Sequence, residues 1–516
     1  MSDGLEIFCK KLISDELTLE EVKKEAAANF DVYRVYPESI NYIKGCYFFL
    51  IKQKKQKKLV AIEIEKEASA ITRDFEEEST FQINGKKVKL MPLNHRNAVA
   101  LRKYFPFTAP VNFGKKGMSV GLGDRLGLAS PGHLRIIKKT GVRPVLAQQS
   151  IREITLTGRT FEDVLDAASW AVFQEGYRQG FAADGDHLKT EEEVRKALDL
   201  GFSMITLDCS EKIDNAVSAL TQEEVDEKYN SLPQEYRQQM EKTYLDREFE
   251  AGDVRISFNR QTLQRLVLIY GGALSFTKHI FFDVVKPAGR EVDFEVSIDE
   301  TQTPTTPEAH YFVASELYRM KVDVTSLAPR FCGEFQKAVD YIGDIAQFER
   351  EFIIHAKIAD HFGYRLSIHS GSDKFRVFPI IGKYTKGRVH VKTAGTNWLE
   401  ALKVIAWKKP EVFRRIFVFA LEHFNEARKY YHVTANLANL PEITAVDDKE
   451  LAEVLTHSDA RQVLHITFGQ ILTAKDGTGK YLFKDDIYDI LHEYEECYYE
   501  ALENHIGKHI RLLQGK

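Results

Sequence analysis

The chain has 516 residues, 44% hydrophobic and 28% charged, with a formal net charge of −5, which describes a globular protein large enough for two or three domains or one elaborated barrel. That charge offers no field for nucleic acid or an anionic membrane, and the basic run 52–58 reads as a hairpin tip. Five scattered cysteines without a CxxC pair exclude a thiolate zinc site and fit a reduced setting; with no signal-peptide pattern and no apolar run of about 18–20 residues, a cytoplasmic protein is expected.

Residues 1–117 read as a mixed α+β cap or assembly region without evident chemistry. A charged helix is expected over 17–28, strands over 47–51 and 59–64 around the basic turn, and a hairpin over 81–90 whose turn is signalled by Asn84-Gly85.

From Met118 to His432 the pattern becomes strand followed by helix, about eight times over. Strands are expected at 119–125, 144–150, 180–187, 203–208, 292–299, 321–327, 365–369 and 388–392. Helices fall at 160–174, 191–200 (capped by Thr190), 260–282, after Pro307, at 345–362 and at 398–407, with a charged helical insertion inside about 210–255. Alternation predicts a parallel sheet, and eight units predict closure into a (β/α)8 barrel of the TIM type, an α/β fold; an open doubly wound sheet is the alternative. Residues 433–516 read as a helical C-terminal extension packed on the barrel (449–456, 460–473, 485–513). His432, at the barrel's end, and His465, in the extension, are read as core or surface residues, although the site is within their reach.

In a barrel the C-terminal ends of the strands build the active site. The third strand delivers Asp184, Asp186 and His187, and imidazole with carboxylate suits zinc, manganese, nickel or cobalt. The fifth places Glu295, Ser297 and Asp299 on one face, with Phe294, Val296 and Ile298 towards the helices. An inward carboxylate is costly unless paired or metal-bound, which marks Glu295, and Glu300 follows at the turn. His369 and His390, on inward faces of the last two strands, are candidate metal ligands or substrate contacts. The turns after these strands hold Ser370, Asp373, Lys374 and Thr393; with Lys392 they suggest an anion site for a carboxylate or a phosphate. Gln149, Ser150 and Thr206 complete the candidate substrate-binding set. The glycines of 121–127 are spaced G-x-G-x-x-x-G with no acidic strand end about 20 residues on, so no nucleotide cofactor is expected.

The segments Ala147-Gln-Gln-Ser-Ile-Arg-Glu153, Ala183-Asp-Gly-Asp-His-Leu188, Ser297-Ile-Asp-Glu-Thr301, Ser367-Ile-His-Ser-Gly-Ser-Asp-Lys-Phe375 and His390-Val-Lys-Thr-Ala-Gly-Thr396 together resemble the tagaturonate epimerase family. The resemblance implies a metal-dependent epimerase of hexuronate catabolism interconverting D-tagaturonate and D-fructuronate, some relatives also accepting fructose and tagatose. It implies Asp186 as one acid/base, His187 as a metal ligand and Glu295 as the opposing acid/base, with Glu300 as rival. The inverting carbon is β to the ketone, so enolisation alone does not racemise it, and a retro-aldol route with two carboxylates fits. The partner expected is a small hexuronate or ketohexose, with no nucleic acid or membrane, and a homo-oligomer is allowed. A class II-type sugar-phosphate aldolase and a non-enzymatic uronate-binding regulator are the competing readings.

Overall fold

The protein is described by a computed structural model covering residues 3–14, 18–27, 33–301 and 303–516. Eight parallel strands close into a barrel: β1 Ser119–Leu122, β2 Arg143–Ser150, β3 Ala182–Leu188, β4 Met204–Asp208, β5 Asp293–Ser297, β6 Ser326–Ala328, β7 Arg365–Ile368 and β8 Val389–Thr393. Closure runs through β8 and β1, where His390 pairs with Ser119 and Lys392 with Gly121. Residues two apart on these short strands share a face. Phe294, Val296 and Ile298 therefore pack outward into the apolar layer under the helices, while Glu295 and Ser297 turn inward.

Helix starts follow local chemistry. Thr160 and Thr190 accept the amide hydrogens of Asp163 and Glu193 in capping boxes that open the helices Phe161–Gln174 and Glu191–Asp199, and Ile345–Phe362 has the bounds its periodicity predicts. The sixth strand differs from expectation. Lys321 adopts φ +58 and the Val322 amide bonds Leu317 O, so residues 321–325 close off the preceding helix and pairing begins only at Ser326. The insertion holds the helices Gln222–Asn230 and Gln234–Tyr244, as expected, but also a ribbon, Glu248–Ala251 with Val254–Ser257, turning at Gly252.

The N-terminal region is a six-stranded antiparallel sheet, its Asn84-Gly85 turn at φ +46 and +75. Of the helix expected at 17–28, Leu19–Ala26 is helical, while Leu17 and Ala28 lie outside the described residues. The sheet docks on the C-terminal helix Glu495–Leu513: Lys57 Nζ lies 3.1 Å from the buried Glu495 carboxylate, and Tyr36 donates to it at 2.8 Å. The C-terminal extension shares an apolar core with the last barrel helices, around Trp398, Phe413 and Val463, and it carries the helices Ser458–Ile466 and Phe468–Thr473 to the barrel mouth. Among the described residues no helix is long and apolar enough to cross a membrane.

Candidate active site

Asp184 and Asp186 alternate with glycine on β3, so both point into the barrel, in successive layers. Lys392 enters from β8, and its Nζ donates to Asp184 Oδ2 at 2.9 Å, Asp186 Oδ1 at 2.6 Å and Thr206 Oγ1 at 2.7 Å while lying 3.0 Å from Glu295 Oε1. One buried cation thus joins carboxylates from two strands. Burial opposes ionisation of Asp186, but Lys392 and His187 outweigh it and hold the carboxyl well below its usual range. Lys392 and His369 do the same for Glu295. Asp184, deepest of the three, is pushed up to about 6 by burial and by its carboxylate neighbours, against the pull of Lys392.

Above this layer sit two histidines. His369 Nε2 is 2.7 Å from Glu295 Oε1 and its Nδ1 3.1 Å from Asp299 Oδ1. Burial favours the neutral ring, but the carboxylates prevail and raise His369 to about 10. His187 Nδ1 lies 2.7 Å from Asp186 Oδ1, and its backbone is left-handed at φ +56, a strained state for a non-glycine residue of the kind that collects at functional sites. Ligand atoms of His187, Asp299 and His369 lie within 4.8 Å of one another. Two imidazoles and a carboxylate are a donor set suited to a divalent transition metal, and the residues fit one.

These groups floor a cavity of about 360 Å³ at the strand ends, a size usual for small-molecule sites. Asp186, His187, His369 and Lys392 reach it, as do Ser150, Asp299, Glu300 and Ser370. Thr206 and Glu295 lie beneath it, bonded into the Lys392 cluster, and Ser326 donates to the other Glu295 oxygen at 2.5 Å.

Five candidates face elsewhere. Gln149 points out of the barrel, where its Oε1 accepts Arg159 Nη1 at 2.6 Å. His390 lies a layer too low: its Nδ1 is 2.9 Å from Ser119 Oγ, and burial keeps it neutral, lowered to about 3, so it does not join His187 and His369. Lys374 Nζ is consumed by the carbonyls of Gln336, Val339 and Ser372 at 2.9, 2.6 and 2.8 Å. Asp373 is paired with Arg461, and Thr393 Oγ1 donates to Gly121 O at 2.8 Å, stitching β8 to β1. The anion site expected from Lys374 and Lys392 is therefore corrected. One ammonium is saturated by carbonyls and the other by carboxylates.

Other residues at the site carry no strong mark in the sequence. Gln148 Nε2 donates to Asp186 Oδ2 at 2.9 Å, and its side chain occupies the space that a Cβ on Gly121 would fill, 2.4 Å from Gln148 Oε1. Strand parity with Ser150 was a usable signal for it. Lys337, in the loop after β6, lines the cavity and donates to Ser370 Oγ at 2.9 Å. His465 and Tyr431 reach the cavity as well, whereas His432 is exposed. A Cβ on Gly395 would stand 1.7 Å from His465 Nε2, so only glycine admits this ring. Arg125, stacked 3.7 Å over the Phe468 ring, pairs with Glu153 at 2.6 Å.

The sequence pattern of the tagaturonate epimerase family matches residues 36–513. The chain is 42% identical over 484 residues to the tagaturonate/fructuronate epimerase of Thermotoga maritima, covering 94% of this chain and 97% of that one. Its fold superposes with a TM-score of 0.90 on the native crystal structure of the fructuronate-tagaturonate epimerase of Cohnella laeviribosi, at 51% identity, over 96% of this chain and 98% of that one. A glycerol complex of the same protein matches equally well.

Proposed function

The chain belongs to the tagaturonate epimerase family and is a carbohydrate epimerase; from that premise we propose that it interconverts D-tagaturonate and D-fructuronate by retro-aldol cleavage and re-addition, using the Lys392-linked carboxylates to move the proton. The observation that carries the reading is the contact of one ammonium with both Asp186 and Glu295, at 2.6 and 3.0 Å, under the cavity floor.

Asp186 faces the cavity and takes the proton from the hydroxyl on the inverting carbon. The bond between that carbon and its neighbour on the ketone side opens, its electron pair passing to the enediolate while the departing carbon becomes an aldehyde. After the aldehyde presents its other face, the pair returns to it and a proton is restored to the oxygen. Lys392, touching Asp186 and Glu295 at once, lets the proton pass between them, so that Glu295 serves as the second store. His187, Asp299 and His369 are the residues that would hold a divalent cation, which would supply positive charge to stabilise the enediolate.

Lys337 anchors the other end. Its ammonium is half-buried and lowered by desolvation, and no carboxylate among the described residues pairs with it. A uronate carboxylate would restore the missing counter-charge, with Ser370 beside it. Such remote binding positions the reacting carbon. Epimerisation of fructose to tagatose follows the same route without this anchor, and is proposed as the slower activity.

A second reading of the opposing acid/base rests on Glu300, which stands on the cavity wall whereas Glu295 is fully buried. The test of the function is to incubate metal-loaded protein with tagaturonate and follow fructuronate by chromatography. Turnover with free three-carbon products accumulating instead would identify an aldolase, and no turnover would leave a binding protein.

A further inference from the structure

Behind the turn after β7, the helix Glu495–Leu513 places His505 and His509 one turn apart, facing Asp373 of that turn. His505 Nε2 and His509 Nε2 each lie 3.4 Å from Asp373 Oδ1. Donors around a tetrahedral zinc ion with bonds of about 2.0–2.1 Å are separated by about 3.3–3.4 Å, so these edges already have the right length.

The rest of the surroundings is what histidine ligands require. His509 Nδ1 donates to His505 O at 2.9 Å, and His505 Nδ1 lies 3.5 Å from Glu400 Oε1. The His509 ring is thereby oriented through Nδ1, as a carbonyl orients a metal-bound imidazole, and Glu400 stands within ion-pair distance of His505 Nδ1, leaving both Nε2 atoms towards the aspartate. Asp373 is 4% exposed, and its Oδ1 has no hydrogen-bond partner, an expensive state for a buried carboxylate oxygen. Arg461 occupies Oδ2 and leaves Oδ1 turned to the histidines. At present Nε2 of His509 accepts the Asp373 amide at 3.0 Å, and Nε2 of His505 lies 2.9 Å from Thr396 Oγ1; a bound ion would take over both lone pairs. An entry path exists, since a surface cleft of about 390 Å³ opens onto Glu400, Asn504 and His505.

We propose that Asp373, His505 and His509 form a second divalent-metal site, of the zinc class, structural in role. It would pin the C-terminal helix to the turn whose Ser370 and Ser372 line the cavity, stiffening one wall of the active site.

Zinc is the probe. The variant His187→Gln/His369→Gln removes ligands at the barrel mouth; saturated with Zn2+, desalted and assayed by mass spectrometry, it should retain one zinc per chain, and adding His505→Gln should remove it. Circular dichroism must show the triple variant folded. If it is not, Glu400→Gln in the double-variant background gives the answer instead, because removing the carboxylate charge beside His505 Nδ1 should weaken zinc about 10–100-fold. A double variant that holds no zinc, zinc that survives His505→Gln in a folded chain, or an affinity unmoved by Glu400→Gln would each overturn the site.

Discussion

Lys392 is bound to Asp186 at 2.6 Å at the buried floor of the cavity, and the same ammonium lies 2.9 Å from Asp184 and 3.0 Å from Glu295. Removing it leaves Asp184 without its cation and Asp186 and Glu295 with only their histidine partners. Lys392→Met should destabilise the fold by about 3–5 kcal/mol, the usual cost of breaking a buried charge pair, and abolish turnover on charged and neutral ketoses alike. Thermal melts and assays on both substrates check this. A loss confined to uronates would return Lys392 to the role of anion partner.

Asp186→Asn and Glu295→Gln should each lower kcat by about 10²–10⁴-fold with KM little changed, since each keeps its shape but cannot take up a proton. Glu300→Gln is the comparison. Near-normal turnover in Glu295→Gln together with a collapse in Glu300→Gln would assign the second acid/base to the cavity wall.

Much of this site was legible because strand alternation is a local rule. Asp186, Glu295, His369 and Lys392 were each placed inward by parity, and the barrel supplied their common end. Parity gives the face of a strand but not the depth, which is why His390, two residues from Lys392 on the same face, lands beside Ser119 instead of the cavity. Turn residues are harder still. Nothing local says that the Lys374 ammonium folds back onto three carbonyls, or that Lys337 from another loop supplies the uncommitted charge. The approach of His465 is hidden for the same reason: it depends on how the extension lies over Gly395, a long-range packing outcome. The sixth strand is shorter than its pattern predicts because Val322 and Val324 alternate as strand residues do while packing in a turn.

Lys337→Met should raise KM for tagaturonate by at least about tenfold, the effect of losing one charge-assisted bond to the substrate. Fructose turnover should change far less, because a neutral ketose has no carboxylate to lose. Steady-state kinetics on both sugars decide it, and equal losses would move the uronate carboxylate away from Lys337.

Prolonged EDTA treatment should abolish epimerisation, and Mn2+, Co2+, Ni2+ or Zn2+ should restore it, if His187, Asp299 and His369 hold the catalytic cation. His369→Gln should lose both metal-restored activity and one equivalent of bound metal. Full turnover in a preparation shown by elemental analysis to be metal-free would rule out the cation's part in the reaction.

The docking of the N-terminal sheet has its own pH signature. Burial alone would raise Glu495, but Lys57, Lys52, Tyr36 and Arg34 surround it and lower it to about 2 from an ordinary value of 4.5. The folded-state pKa is depressed, so the stabilisation is fully present above about 4.5 and is lost as pH falls from there towards about 2. At neutral pH it is on the order of 3 kcal/mol. Glu495→Gln should therefore lower the Tm at pH 7, and the gap to the parent protein should narrow steadily as the pH is taken from 5 to 3. Melting curves across that range are the measurement; a gap that stays constant would show that Glu495 contributes through packing instead of charge.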